Sequence, residues 1–295
     1  MFAAVTGRQV GDDAILSGAD AVTGASSGPV ADPIIDVRDL VKKYGDFAAV
    51  SGVSFAVPAG AIFGFLGPNG AGKTTIIKML TTVLKPTSGV IRINGYDPLR
   101  QQRDVRRSFG IVFQDPSLDS ELTALENLEL HGVLYGIAST ARKRRMAELL
   151  NLVELWDRRQ ELVKNFSGGM KRRLEIARAL LHEPAIVFLD EPTIGLDPQT
   201  RNHIWQYIQT LNQERHVTVF FTTHYMDEAD RVAGEVAIID HGRIVARGTP
   251  DAIKAQTQSV TLEDAFIGLT GEAMRMETAS SVDRMRTLGK TWGRR

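Results

Sequence analysis

The stretch Gly67-Pro68-Asn69-Gly70-Ala71-Gly72-Lys73-Thr74 follows an apolar run, Ile62-Phe63-Gly64-Phe65-Leu66, and precedes a segment of helical character that continues to about Leu84, ahead of Pro86. Strand, glycine-rich loop and helix in that order make the phosphate-loop pattern, and they set the fold class as α/β. The glycines let successive backbone N–H groups turn inward around phosphate oxygens, and the helix beginning near Lys73 adds its positive end. Lys73 is placed to reach the β- and γ-phosphates, and the Thr74 hydroxyl to bind Mg²⁺. A glycine-rich turn with a solvated lysine is the competing reading, and the strand and helix on either side weigh against it.

Upstream, Ile34-Ile35-Asp36-Val37 and Val53-Ser54-Phe55-Ala56-Val57 read as strands; downstream, Val90–Ile93 and Ile111–Phe113 do the same. Between about 116 and 183 the period becomes helical. Met146, Leu149, Leu150, Val153 and Trp156 share a face, and Arg142-Lys143-Arg144-Arg145 reads as a solvated turn of the same helix. Strands return at Ala185–Leu189, Val217–Phe221 and Val236–Ile239, the last entering a hairpin through Asp240-His241-Gly242-Arg243. The helical block is therefore an insertion in an α/β domain over residues 33–250. A flexible leader over 1–32 and a C-terminal extension and tail over 251–295 flank that domain. The five basic residues of 283–295, with Trp292, fit a solvated tail or contact with anionic lipid.

Composition narrows the classes. The 295 residues carry 35 Lys+Arg and 35 Asp+Glu, a net charge of zero, which removes the broad field that drives non-specific nucleic-acid binding. With no cysteine, disulfides, a thiolate nucleophile and Cys-ligated metals are excluded. The apolar runs fall far short of the roughly 20 residues of a spanning helix. No basic start followed by an apolar stretch marks a secretory signal.

Two further features bear on chemistry. Ala185-Ile186-Val187-Phe188-Leu189 ends in Asp190-Glu191, adjacent carboxylates that strand geometry points to different sides. Asp190 suits Mg²⁺ through water, and Glu191 suits the attacking water as general base. Asn165-Phe166-Ser167-Gly168-Gly169-Met170 then opens an amphipathic helix, with Ser167 a natural N-cap.

Together these motifs resemble the ATP-binding cassette (ABC) family of transporter ATPases, in order across residues 34–248. The resemblance implies a P-loop NTPase (RecA-like) core, an antiparallel β subdomain and an inserted α-helical subdomain. It implies that ATP and Mg²⁺ are held by Gly67, Pro68, Asn69, Gly70, Ala71, Gly72, Lys73, Thr74 and Thr75, with Tyr44 stacking on adenine. Gln114, Thr74 and Asp190 would serve Mg²⁺; Glu191, His224, Lys73 and Gln114 would carry catalysis. The signature Ser167-Gly168-Gly169 and Asp197 of Gly195-Leu196-Asp197 would complete the site of a second subunit in a head-to-tail dimer, most simply a homodimer. Taken singly, each has a plainer reading: Tyr44 as filler, Gln114 as a strand end, Asp197 as a helix cap before Pro198, His224 as a loop histidine.

The signature departs from the usual Leu-Ser-Gly-Gly-Gln at Phe166 and Met170. With residues 115–136 and 261–271, this resembles the branch of bacterial daunorubicin-resistance-type exporters. The resemblance implies an integral-membrane permease on a separate chain, a position on the cytoplasmic face of the membrane through that permease, and no nucleic-acid partner. An importer subunit and a soluble ABC ATPase acting on ribosomes or DNA are the rival classes. The branch markers oppose the first. The second usually shows paired cassettes or long insertions, and this sequence has neither.

Overall fold

The computed structural model describes residues 32–271. The leader expected over 1–32, Asp32 apart, and the basic tail lie outside the described residues. Two sheets organise the chain. In the first, β1 (Ile35–Tyr44) pairs antiparallel with β2 (Phe47–Val57) and with β4 (Ser88–Ile93). β1 and β2 run well past the short segments that alternation picks out. Register shifts between Val37 and Leu40, with Asp39 at φ 47°, interrupt the period of two that would reveal a longer strand.

The second sheet has the order β5-β6-β7-β3-β8-β9, with β3 (Ile62–Leu66), β5 (Phe109–Val112), β6 (Ile186–Asp190), β7 (Thr218–Thr223), β8 (Glu235–Asp240) and β9 (Arg243–Gly248). All neighbours are parallel except the β8–β9 hairpin, which closes at Asp240↔Arg243. This sheet divides the interior in two. Ile186, Phe188, Phe220, Phe63 and Phe65 face the first sheet and α1 (Lys73–Leu80), while Val187, Leu189, Val219 and Phe221 face the helices. Burial on both faces is why these strands read as unbroken apolar runs. Toward the first sheet, the rings of Phe55, Phe63, Phe65 and Phe220 pack with centroids 5.5–5.9 Å apart.

α1 stops at Leu80, short of the expected Leu84. Thr82 turns to φ 63°, and the N–H groups of Val83 and Leu84 fold back onto the Lys78 carbonyl at 2.9 Å, satisfying an end carbonyl of the helix.

α2 (Gln102–Ser108) leads into β5. Then come α3 (Ala124–Leu134), α4 (Ser139–Leu152) and α5 (Gly168–Leu180) of the helical block. The Arg142–Arg145 run lies in α4, and the expected solvated turn is corrected here. Arg144 is exposed, but Arg145 is buried, donating to the Leu180 carbonyl at 3.3 Å and pairing with Glu183 at 2.5 Å. Arg142 reaches the Ile137 carbonyl and Glu129, both at 2.6 Å. Met146, Leu149 and Leu150 draw this face of α4 inward, and the arginine stems follow while their heads satisfy one carbonyl at the end of α5 and one in the α3–α4 loop.

The chain closes through α6 (Pro198–Arg215), α7 (Met226–Val232), α8 (Pro250–Gln256) and α9 (Leu262–Thr270). Leu262, Ala265 and Phe266 bury α9 in the same core as the helix-facing side of the large sheet. Among the described residues, no helix is long and apolar enough to cross a membrane.

Candidate active site

The phosphate loop joins β3 to α1 and is shaped by contacts behind it. At Gly67 a Cβ would meet the Ile239 carbonyl; at Gly72, φ 108°, it would lie 2.7 Å from the Ala49 carbonyl. Only glycine fits both. The turn of the β8–β9 hairpin braces the loop, for Gly242 donates its N–H to the Ala71 carbonyl at 3.0 Å and accepts from Ser51 at 2.8 Å. Sequence reasoning placed Gly242 in the hairpin turn, where it has a φ of 74°, but missed this role. Asn69 and Gly70 are exposed at the loop's tip.

Lys73 is the first residue of α1 and is buried. Its ammonium donates to the Gly67 carbonyl at 2.7 Å and the Pro68 carbonyl at 3.3 Å, and lies 3.3 Å from Glu191 Oε1. The other oxygen, Glu191 Oε2, is 2.8 Å from His224 Nδ1. Three residues expected to carry catalysis thus meet at the carboxyl ends of β3, β6 and β7. Burial pushes the Glu191 carboxyl up, but the His224 hydrogen bond and the Lys73 charge outweigh it and hold the group below its ordinary range.

Glu191 also has a left-handed backbone, φ 49°, with its N–H shared between Thr222 O at 3.2 Å and Thr222 Oγ1 at 3.1 Å. That conformation costs a non-glycine residue on the order of 1 kcal/mol, a strain of the kind that collects at functional sites. Asp190 beside it is 2% exposed, and its carboxylate accepts the Thr222 hydroxyl at 2.6 Å and the Thr74 hydroxyl. Burial raises its pKa.

The signature and Asp197 form a second cluster. Ser167 caps α5 by accepting from Met170 N–H at 3.2 Å, and Asp197 caps α6 by accepting from Thr200 N–H at 3.0 Å, with Pro198 at the first helical position. The two turns touch: a Cβ on Gly169 would lie 2.6 Å from Thr200 Cγ2. Ser167, Gly168 and Asp197 are all exposed. Tyr44 is half exposed at the end of β1, with the Lys42 ammonium 5.1 Å from its ring centre.

Gln114 follows β5 with its side chain exposed, and its carbonyl accepts from Arg172 at 3.2 Å. Sequence reasoning had no ground to single out Arg172, one of five charged residues on the helix that begins at the signature.

Residues 50–194 match the family model described as ABC transporter. The chain is 44% identical over 228 residues to the daunorubicin/doxorubicin resistance ATP-binding protein DrrA of Streptomyces peucetius, covering 77% of this chain and 69% of that protein. It is 40% identical over 257 residues to the Nod factor export ATP-binding protein I of Paraburkholderia xenovorans, covering 87% and 84%. Among solved structures, an ATP-binding cassette in a dimeric, post-hydrolysis state with ADP and Pi superposes with a TM-score of 0.66 at 29% identity, over 73% of this chain and 98% of that one.

Fold and phosphate loop define a P-loop ATPase. More particularly, the chain belongs to the ABC transporter family, as an ATP-binding subunit of the daunorubicin-resistance type.

Proposed function

We propose that this ATPase is the energy-coupling subunit of an exporter, hydrolysing ATP at the interface of a homodimer and driving a permease carried on a separate chain, which holds it at the cytoplasmic face of the membrane. The names of its relatives, drug resistance and Nod factor export, support the direction of transport. The observation that carries the dimer is the exposed second cluster. Ser167, Gly168 and Asp197 present capped helix starts and glycine backbone to solvent, where a second subunit's ATP can be met.

Each residue then takes a role. The backbone of Gly67 to Thr75 cradles the phosphates, and Tyr44 offers its exposed ring to adenine. Lys73 neutralises the β- and γ-phosphates. The hard oxygen donors of Asp190 and Thr74, one a buried carboxylate whose partners are hydroxyls, fit Mg²⁺, with Gln114 completing the set. When bound, that ion supplies charge neutralisation on the transferring phosphoryl group. Glu191, held ionised, takes the proton of the attacking water, and His224 fixes its carboxylate through Oε2.

The test is Glu191→Gln. ATP should still bind and a stable dimer accumulate, while turnover falls on the order of 10²- to 10⁴-fold, the usual worth of a positioned base. Turnover at the normal rate removes Glu191 from that role. For the exporter reading, pull-down of the tagged protein from gently solubilised membranes should bring a multi-span membrane protein in about equal amount. Ribosomal or DNA-associated proteins in its place would sink it.

A further inference from the structure

Arg172 lies on α5, one turn past the signature, and is 6% exposed. Its guanidinium fork reaches two segments that are far apart in sequence. On one side Nη1 donates to the Phe113 carbonyl at 2.5 Å and Nη2 to the Gln114 carbonyl at 3.2 Å; on the other, Nη2 approaches the Glu191 carbonyl at 3.4 Å. Glu175, one turn on and fully buried, pairs with Arg172 at 3.2 Å and accepts the Ser117 N–H at 2.8 Å. A further turn on, Arg178 donates to the Ser117 carbonyl at 2.7 Å. Residues 172, 175 and 178 share a face of α5. They hold residues 113–117, the stretch containing Gln114, by charge-assisted hydrogen bonds.

At Glu191 the consequence is sharper. Thr222 holds its N–H and Arg172 holds its carbonyl, so both peptide groups around this left-handed residue are fixed, and the carboxylate direction with them. We propose that Arg172 is a positioning residue for hydrolysis, tying the Gln114 loop and the Glu191 backbone to the helix that starts at the signature. Engagement of Ser167 and Gly168 by a partner's nucleotide would then be felt at Gln114 and Glu191 through one rigid element. The proposal rests on the roles given above to Gln114 and Glu191.

Arg172→Lys tests it. The charge beside Glu175 is kept, so the buried carboxylate is not stranded, but a single ammonium cannot span carbonyls on both sides. Because Arg172 donates to no phosphate-loop residue, KM for ATP should stay within about twofold, as expected when ground-state binding is untouched. kcat should fall on the order of 10- to 10²-fold, the effect of a misplacement near 1 Å. Amide exchange at Ser117 and Glu191 should quicken while that of Gly70 to Thr74 does not, a pattern general loosening would not give. Should the lysine variant not accumulate, Arg172→Gln combined with Glu175→Gln, which removes the fork without stranding a buried charge, carries the same expectations.

Wild-type kcat in these variants, or loss of ATP binding in parallel with kcat, overturns the proposal. Glu191→Gln assayed alongside separates the two readings. If it turns over normally, the base assignment falls and this inference with it; if it is inactive while Arg172→Lys is normal, this inference falls alone.

Discussion

The Arg172–Glu175 pair allows a quantitative stability prediction. The two charges lie 3.2 Å apart, with side chains 6% and 1% exposed. At an effective dielectric of about 20, unit charges at that separation attract by about 5 kcal/mol. Much of that attraction offsets the cost of taking both groups out of water, so the pair's net worth is small, yet breaking it from one side is not. Arg172→Met strands Glu175 with Ser117 as its remaining donor, and should cost about 3–5 kcal/mol. Glu175→Met leaves the guanidinium on its three carbonyls, so the loss should be nearer the about 1.5–3 kcal/mol of a charged hydrogen bond. The double variant strands neither charge and should cost less than the sum by about 2–3 kcal/mol, within the range of coupled neighbours. Urea denaturation followed by circular dichroism, with midpoints and slopes for all four proteins, measures the cycle. Additivity within about 0.5 kcal/mol would refute the reasoning, since independent sites behave that way.

Other consequences can be checked more briefly. Burial, then the charges of Arg178 and His182, lower the pKa of His131 to about 4. The unfolded chain therefore takes up the proton first, and stability should fall as pH drops from the ordinary histidine range toward 4; His131→Gln should flatten that limb in urea midpoints taken across pH. Gly169→Ala puts a methyl 2.6 Å from Thr200 Cγ2. In a Glu191→Gln background, light scattering should show ATP-dependent dimerisation weakened about tenfold, or 1.4 kcal/mol, with monomer affinity for ATP unchanged. Phe188 is fully buried against Phe109 and Phe220, and Phe188→Ala should lower unfolding free energy by about 3–5 kcal/mol in the same urea assay.

What the sequence disclosed and what it hid divide along local and distant causes. The phosphate loop was legible because its conformation is dictated by glycines between a strand and a helix. The two carboxylates at the end of β6 stood out because the strand before them is apolar on both faces. Ser167 and Asp197 were legible as caps, and the structure gives them those caps beside whatever they do for a nucleotide. The arginines that serve carbonyls on other segments were not legible. Arg142 and Arg145 read as solvent-facing charges, and Arg172 and Arg178 carried no reading of their own, until those carbonyls are in place. Thr222, which holds Asp190 and Glu191, likewise looks like any strand residue.

The hairpin turn at Gly242 also bears on how the protein is made. The carbonyl of Ala71 in the phosphate loop is satisfied by an N–H from a residue near the far end of the same domain. During synthesis the early half leaves the ribosome with its phosphate loop unsupported, and only after β8, the turn and β9 have emerged can the loop take its final shape. Nucleotide capture is thus expected late in translation of this domain, and a chain cut short before Gly242 should compete less well for ATP.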